Sequence, residues 1–557
     1  MKSKIFFLFY LTVVFKLTVS CGISRSLKHQ PITAGYNQTI PVVDKKADTL
    51  FVSGKNTLLK NKHQLWELYV EGDPLQVGLI SGALSDSLLK KQETIFFSKI
   101  KDLVPSQSKQ KLLRFFLKWY NRKLYRNIPE EYKTEIYGYS RYSSKQFDAI
   151  APAYLRSLYL HGAHDIGHAL QDLALVGCSS FAAWDSKSED GNLILGRNFD
   201  FYAGDDFAKD KVIAFIKPTQ GNPFMIFTWA GMTGAVSGMN VKGLTITLNA
   251  GKSKIPLVAK TPISILAREI LQYATNIDEA IVIAKKRKVF VSESLMIGSV
   301  ADNKAILIEV SPNNFGVFEV ENRNQIICAN HFQSDELKND RRNLKQIRDS
   351  HSKYRFDKMT ELFDANPKIN PTIAAEILRN TKGLNNKEIG FGNEKALNQL
   401  LAHHGIIFKP KELLVWVSAN PYQLGEFVCY DLNQIFKEQK NFERVESFER
   451  ADLSIAKDPF LNSDEYKNYE QFRIADAKID LDLKQKKILD FNQIANYQAL
   501  NPNFWLVYYK VGLYFYKIKD FTQAKVQFEK ALLCEITTRT SKLQVEKLLK
   551  KSKKKLK

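Results

Sequence analysis

Apolar positions change their period along the chain. From about residue 37 to 171 they recur at spacings of three and four, in LLKKQETIFFSKI, KQKLLRFFLKWYNRKLY and KQFDAIAPAYLRSLYLHG, which predicts helices with one apolar face. From about Gly177 to Val320 the pattern shortens to alternating or apolar runs bounded by Gly, Asn and Pro: NLILGRNFDF, KVIAFIKP, PFMIFTWAG, GLTITLNAG, SLMIGSV, KAILIEV and NFGVFEV. These predict strands. TPISILAREILQYA with NIDEAIVIAKKR, and later the charged stretch Glu336 to Phe363, return to helical spacing between sets of strands. ELLVWVSA and EFVCYDL predict a closing strand pair near Leu432. Sets of strands separated by helices predict an α+β domain whose helices cover sheets. Beyond about Lys437 the chain reads as helical and charged. There Tyr508, Val511, Gly512, Phe515, Ala524, Phe528 and Ala531 follow tetratricopeptide spacing over about residues 501–535. A solenoid needs about three such units, so one copy predicts a helical hairpin packed on its neighbour.

Composition limits the classes. The 557 residues are 44% apolar, 12% aromatic and 25% charged, which excludes a collagen, a mucin or a wholly disordered chain. The length suits one large domain with appendages as well as three or four of average size. The net charge of +22 is partly local: Lys542 to Lys557 hold eight lysines against the single acid Glu546. Such a block predicts a solvated helix end, with a lipid-facing or disordered tail as the alternative. No RNA-recognition signature, zinc knuckle or helix-turn-helix pattern accompanies the charge, so nucleic acid is not the expected partner.

Residues 1–21, MKSKIFFLFYLTVVFKLTVSC, set Lys2 and Lys4 before an apolar run from Ile5 to Phe15 and end at Cys21. This predicts a secretory signal, too short to span a bilayer. Leu17-Thr18-Val19-Ser20-Cys21 resembles a bacterial lipobox, which implies lipidation of Cys21 and an exported, lipid-anchored protein of the bacterial cell envelope or periplasm. The acyl chains would bury methylene groups at about 0.8 kcal/mol each. Simple cleavage by the ordinary signal peptidase is the alternative. The other cysteines make no disulfide framework. Cys328, Cys429 and Cys534 lie in apolar contexts that predict inert thiols.

Cys178 sits differently, in GCSSFAAWDSKSEDGNLILGRNFDFY. A strand, a turn at Glu189-Asp190-Gly191 and a second strand ending in Arg197-Asn198-Phe199-Asp200 predict a hairpin that returns Arg197 and Asp200 beside Cys178. Thiolate is the reactive form of cysteine and a neighbouring guanidinium stabilises it, while a carboxylate can hold a nearby amine. Each residue alone would be structural most of the time.

Cys178 followed by GRNFDF resembles the N-terminal-nucleophile (Ntn) amide hydrolases: choloylglycine hydrolases, penicillin V acylases and, nearest, the acyl-coenzyme A:6-aminopenicillanate acyltransferase-like family. GMNVKGLTITLNAG with Asn249, CANHF with Asn330 and SKYRFDKMTELF with Arg355 match in order, as does LYVEGDPLQVGLISGAL ahead of the nucleophile. The resemblance spans roughly Trp66 to Leu432. It implies a four-layer αββα sandwich and a chain that cuts itself between Gly177 and Cys178, with the freed α-amine as base for the thiol. The divisions that follow are a signal at 1–21, a helical pro-segment at 22–177, a catalytic domain at 178–436 and a helical region at 437–557. Cys178 would attack the carbonyl of a linear amide of the N-acyl amino acid or N-acyl amine type. Asp200 would hold the amine and Arg197 polarise the site. Asn249, with a backbone N–H, would donate to the oxyanion, where losing one donor typically costs about 3 kcal/mol of barrier. Asn330 would orient the nucleophile and Arg355, rather than the nearby Arg341 and Arg342, would support the network. No cofactor is implied. Water or another acyl acceptor could resolve the same acyl-enzyme. Phe181, Trp184, Phe201, Tyr202 and Trp229 would suit an apolar acyl pocket and equally a core.

Two rival readings remain at this level. His161, His164 and His168 share one helix face, with Asp165 beside them, as zinc ligands can. That helix lacks the general-base Glu of HExxH, and packing near the cut site explains the imidazoles as well. A non-catalytic lipoprotein could instead use the C-terminal helices to bind a protein partner. His331 and the pair His403, His404 read as strand-end and helix-end residues.

Overall fold

The computed structural model describes residues 22–169, 176–201, 204–252, 256, 258–401, 403–437 and 446–557. Residues 1–21, read as a secretory signal ending at Cys21, lie outside the described residues. Seventeen strands run along the described chain: β1 (Asp44–Ala47), β2 (Leu50–Ser53), β3 (Asn56–Lys60), β4 (Trp66–Gly72), β5 (Val176–Asp185), β6 (Gly191–Phe201), β7 (Val212–Pro218), β8 (Phe224–Thr228), β9 (Ser237–Asn240), β10 (Leu244–Ala250), β11 (Glu293–Ser299), β12 (Lys304–Val310), β13 (Phe315–Phe318), β14 (Gln325–Cys328), β15 (His404–Lys409), β16 (Leu414–Ser418) and β17 (Phe427–Asp431). They form an eleven-stranded sheet, β1-β2-β3-β4-β7-β8-β9-β10-β11-β12-β13, and a six-stranded sheet, β14-β5-β6-β15-β16-β17.

Side-chain alternation turns these sheets into layers. In β6, Leu193 and Leu195 join Phe215, Phe227, Met296, Leu307, Phe408 and Val417 in a core between the sheets. Ile194, one residue out of phase, points the other way, to a second core with Phe181, Ile407, Phe427 and the helical residues Met359, Phe363, Ala375 and Leu378. A third core sets Val70, Ile216, Ile226, Ile246 and Ile297 of the large sheet against Ile136, Leu155, Leu266 and Ile270. Helices therefore cover both outer sheet faces, giving the four-layer αββα sandwich.

The N-terminal part carries the expected helices, among them Pro74–Leu84, Glu130–Ser140 and Ala153–Ala169, and adds four strands to the large sheet. The stretch WELYVEG, within the span of predicted helices, is instead β4, which pairs in parallel with β7 from Trp66–Val212 to Gly72–Pro218. The helix starts only after it, where Asp73 accepts from the Gln76 N–H and Pro74 occupies the first turn.

Beyond the sandwich, helices Asp464–Gln485, Phe491–Leu500, Trp505–Lys517, Phe521–Leu533 and Arg539–Lys555 pack round an aromatic core that includes Leu400 and Leu424. The predicted hairpin is there. A Cβ at Gly512 would come within 2.6 Å of the Phe528 ring, so only glycine permits this approach. The lysine-rich end is neither free nor disordered: it is a helix with Val545 and Ser552 buried against its neighbours. Among the described residues, no helix is long and apolar enough to cross a membrane.

Candidate active site

The hairpin of β5 and β6 builds the site. Its register pairs Cys178 with Phe199, Ser180 with Arg197 and Gly177 with Asp200. By alternation Cys178, Arg197 and Phe199 share the inner face, and Asp200 lies opposite the Gly177–Cys178 junction. Arg197 Nη2 donates to Cys178 Sγ at 3.7 Å, and its guanidinium lies 4.2 Å from the centre of the Phe199 ring. The same guanidinium donates to Ser237 Oγ at 2.6 Å and to the Val236 and Leu248 carbonyls. Those contacts fix its plane without neutralising its charge.

The backbone of Cys178 is held at both ends. Its N–H donates to Asn330 Oδ1 at 3.0 Å, and its carbonyl accepts from Arg355 Nη1. Arg355 also donates to Ser179 Oγ at 2.8 Å and to Asn330 Oδ1, and its Nε to His351 Nδ1 at 3.2 Å. Asn330 is itself anchored: its side chain donates to the Ala250 carbonyl and its N–H to Ser352 Oγ. Arg341 and Arg342 are exposed on a separate helix.

The electrostatics match a closed site. Cys178 is 1% exposed, and burial pushes its thiol up while Arg197 pulls it down. Burial raises Asp200 to about 7, against the pull of Arg355 and Arg197. One Asp200 oxygen accepts from Gln423 Nε2 at 3.4 Å, and Oδ2 has no partner among the described residues. Gly177 is an extended strand residue, and a Cβ there would approach Gln399 Nε2 to 2.5 Å.

Asn249 sits next to this group with its amide engaged. Its Nδ2 donates to the Cys328 and Ala329 carbonyls at 3.2 Å each, and its Oδ1 accepts from Ser180 Oγ at 2.6 Å. The fold therefore brings Cys178, Arg197, Asp200, Asn330 and Arg355 together, with Asn249 fastening β10 to the end of β14. Of the aromatic set, Phe181 packs on Phe363 in an outer core and Trp184 lies between the sheets. Phe201 and Trp229 stack near the site at 6.3 Å, while Tyr202 lies outside the described residues.

His161 is committed elsewhere. Its Nδ1 meets the Ser157 carbonyl at 2.8 Å, and Nε2 accepts from the Thr233 N–H at 2.9 Å. Burial lowers it to about 4, so it is a neutral ring with no lone pair to spare for a metal. The side chains of His164, Asp165 and His168 lie outside the described residues.

Several partners carry no signal in the sequence pattern. Ser237 and His404 extend the Arg197 network, with Ser237 Oγ 3.0 Å from His404 Nε2 and His404 Nδ1 2.8 Å from His403 Nδ1. An adjacent histidine pair opening an apolar strand was the one visible hint.

In the αββα sandwich the buried Cys178 of β5 faces Arg197 of the adjacent β6, which sets a thiol against a fixed guanidinium. Residues 186–411 match the family model described as Acyl-coenzyme A:6-aminopenicillanic acid acyl-transferase, the family that the motifs resemble. The match takes in Arg197, Asp200, Asn249, Asn330 and Arg355 and begins just after Cys178. Over 270 residues the chain is 24% identical to an uncharacterized protein of Archaeoglobus fulgidus, covering 45% of this chain and 44% of that one. The chain thus spans less than half the length of that relative. Among solved structures, an N-acylethanolamine-hydrolyzing acid amidase ortholog of Caenorhabditis elegans is 18% identical, with a TM-score of 0.32, 42% of this chain covered and 93% of that chain. A mutant conjugated bile acid hydrolase from Clostridium perfringens is 15% identical, with a TM-score of 0.31, 48% of this chain covered and 95% of that chain.

Proposed function

We propose that the protein is a self-processing cysteine amidase or acyltransferase that acts on linear N-acyl amides through an acyl-enzyme on Cys178. The observation that carries this reading is the hold on Cys178: its thiol faces Arg197, its N–H is bound by Asn330 and its carbonyl by Arg355. Any buried backbone N–H and carbonyl need partners, but a thiol kept only for packing needs no guanidinium against it.

In the uncut chain, Cys178 Sγ attacks the Gly177 carbonyl, the acyl group moves from nitrogen to sulfur, and water releases the N-terminal part. This leaves an α-amine at the position where the Cys178 N–H now meets Asn330. Asp200, across from Gly177 in the register, is placed to hold that amine. The amine then takes the thiol proton as Sγ attacks a substrate carbonyl, and the leaving amine receives the proton back. Water or an acyl acceptor completes the cycle. Export and lipid attachment through Cys21 belong to the same proposal and rest on residues 1–21.

The test is to trap the acyl-enzyme. The protein is incubated with a chromogenic N-acyl amide and quenched in acid, and its intact mass is read. The reading predicts an adduct of one acyl group on the peptide that contains Cys178, with none in Cys178→Ala. Turnover without an adduct, or an adduct that survives in Cys178→Ala, would sink it.

A further inference from the structure

Lys211 is fully buried and its Nζ has no hydrogen-bond partner among the described residues. It lies one residue before β7, in phase with Ile213 and Phe215 of the inter-sheet core, so its side chain enters the space between the sheets. One step beyond the Val212–Thr228 pair, it stands across from Trp229. The Trp229 ring is 5.5 Å from His403, and Phe207, itself 5.2 Å from Trp229, is 5.7 Å from His403.

The proton positions around His403 follow from Arg197. Arginine only donates, so Ser237 Oγ accepts from Arg197 Nη1 and gives its own proton to His404 Nε2. His404 Nδ1 then carries a proton and donates to His403 Nδ1. His403 Nε2 must therefore be an N–H, and it too is buried without a partner among the described residues. Both rings are neutral: burial first, with the charges of Lys211 and Arg197 contributing, holds each well below the ordinary imidazole range. Two orphaned donors thus lie beside the Trp229–Phe207–His403 cluster, at the end of a relay that begins 3.7 Å from Cys178 Sγ. A buried donor without an acceptor is unfavourable, and two of them together call for one.

We propose that Lys211 Nζ and His403 Nε2 form a carboxylate subsite, so that the substrates carry an acidic group: N-acyl amino acids rather than N-acyl amines. This rests on the amidase reading above and names its substrate class. A carboxylate has acceptor sites for both donors, and its charge draws a proton back onto Lys211 so that one of the bonds is charge-assisted.

The experiment measures binding rather than turnover, on the processed full-length protein. The probes are a ketone isostere of a long-chain N-acylglycine, in which methylene replaces the amide nitrogen, and its methyl ester. Titration calorimetry should show the acid binding about tenfold more tightly than the ester, the weight of one good charged contact. Lys211→Met and, separately, His403→Phe should each reduce that ratio. Equal affinities in the wild type, no binding of either probe, or a ratio that both variants preserve would overturn the subsite. The wild-type comparison stands even if a variant misfolds. An acid preference that Lys211→Met removes, in a protein that turns over no N-acyl amide, would leave the subsite standing and remove the amidase reading.

Discussion

Two buried lysines separate the two halves of this molecule. In the C-terminal helices, Lys510 is 8% exposed, and its Nζ reaches Asp476 at 2.7 Å and Asp480 at 2.8 Å. In the sandwich, Lys211 is wholly buried and its Nζ has no partner among the described residues. The pattern extends beyond these two residues. Among the described residues, the orphaned buried polar atoms include Arg197 Nε, Asp200 Oδ2, Lys211 Nζ and His403 Nε2, and none lies beyond residue 449. Among the described residues the C-terminal helices pair their buried polar side-chain atoms, while several atoms around Cys178 stay unpaired and bear the desolvation.

Variants can break or sharpen this contrast. The largest effect is expected from Arg355→Met, which releases the Cys178 carbonyl and leaves Asn330 and Ser179 without their shared donor. Turnover should fall by about a hundredfold or more, the scale set by losing one preorganised donor. Steady-state kinetics on folded protein measures it, and activity within a few-fold of wild type would make Arg355 a packing residue.

Lys211→Met comes next and should stabilise the protein. Burial lowers this lysine from 10.5 to about 7, so folding has to strip its proton, and the folded state loses stability as pH falls from about 10.5 towards 7. Each tenfold loss of proton affinity on folding corresponds to about 1.4 kcal/mol. Relaxation around the buried amine reduces the total, so replacing it should raise stability at pH 7 by a few kcal/mol at most, and the gain should vanish above about pH 10.5. Denaturant midpoints across that range check the sign.

Lys510→Met should do the reverse and by less. It leaves Asp476 with the Tyr497 hydroxyl as its remaining partner, so a loss of about 1–2 kcal/mol is expected, with the kinetics unchanged. If both lysine variants shift stability the same way, the contrast between the two regions fails.

Legibility in the sequence followed the range of the contacts. Most strands from β5 to β17 announce themselves through alternating or apolar runs, though β9, β14 and β15 do not, and the β5–β6 hairpin places Cys178, Arg197 and Asp200 together through a local register. β1, with the sequence DKKA and every residue exposed, has no apolar signal to read. β4 is a strand because it finds β7 about 145 residues later, a pairing that no window on the sequence contains. Asn330 and Arg355 reach Cys178 from 152 and 177 residues away, so only motif order could point to them. Lys211, Ser237 and His404 have no motif at all. Each is a single polar residue in or beside a strand, and they meet only because one sheet is laid on the other.

The central claim is that Cys178 is a nucleophile uncovered by its own cleavage. Intact mass and N-terminal sequencing of the wild type beside Cys178→Ala, both confirmed folded, test it most directly. The account predicts two fragments in the wild type, the second beginning at Cys178, and one uncut chain in the variant. A single uncut chain in both, or a cut that persists in Cys178→Ala, would contradict it.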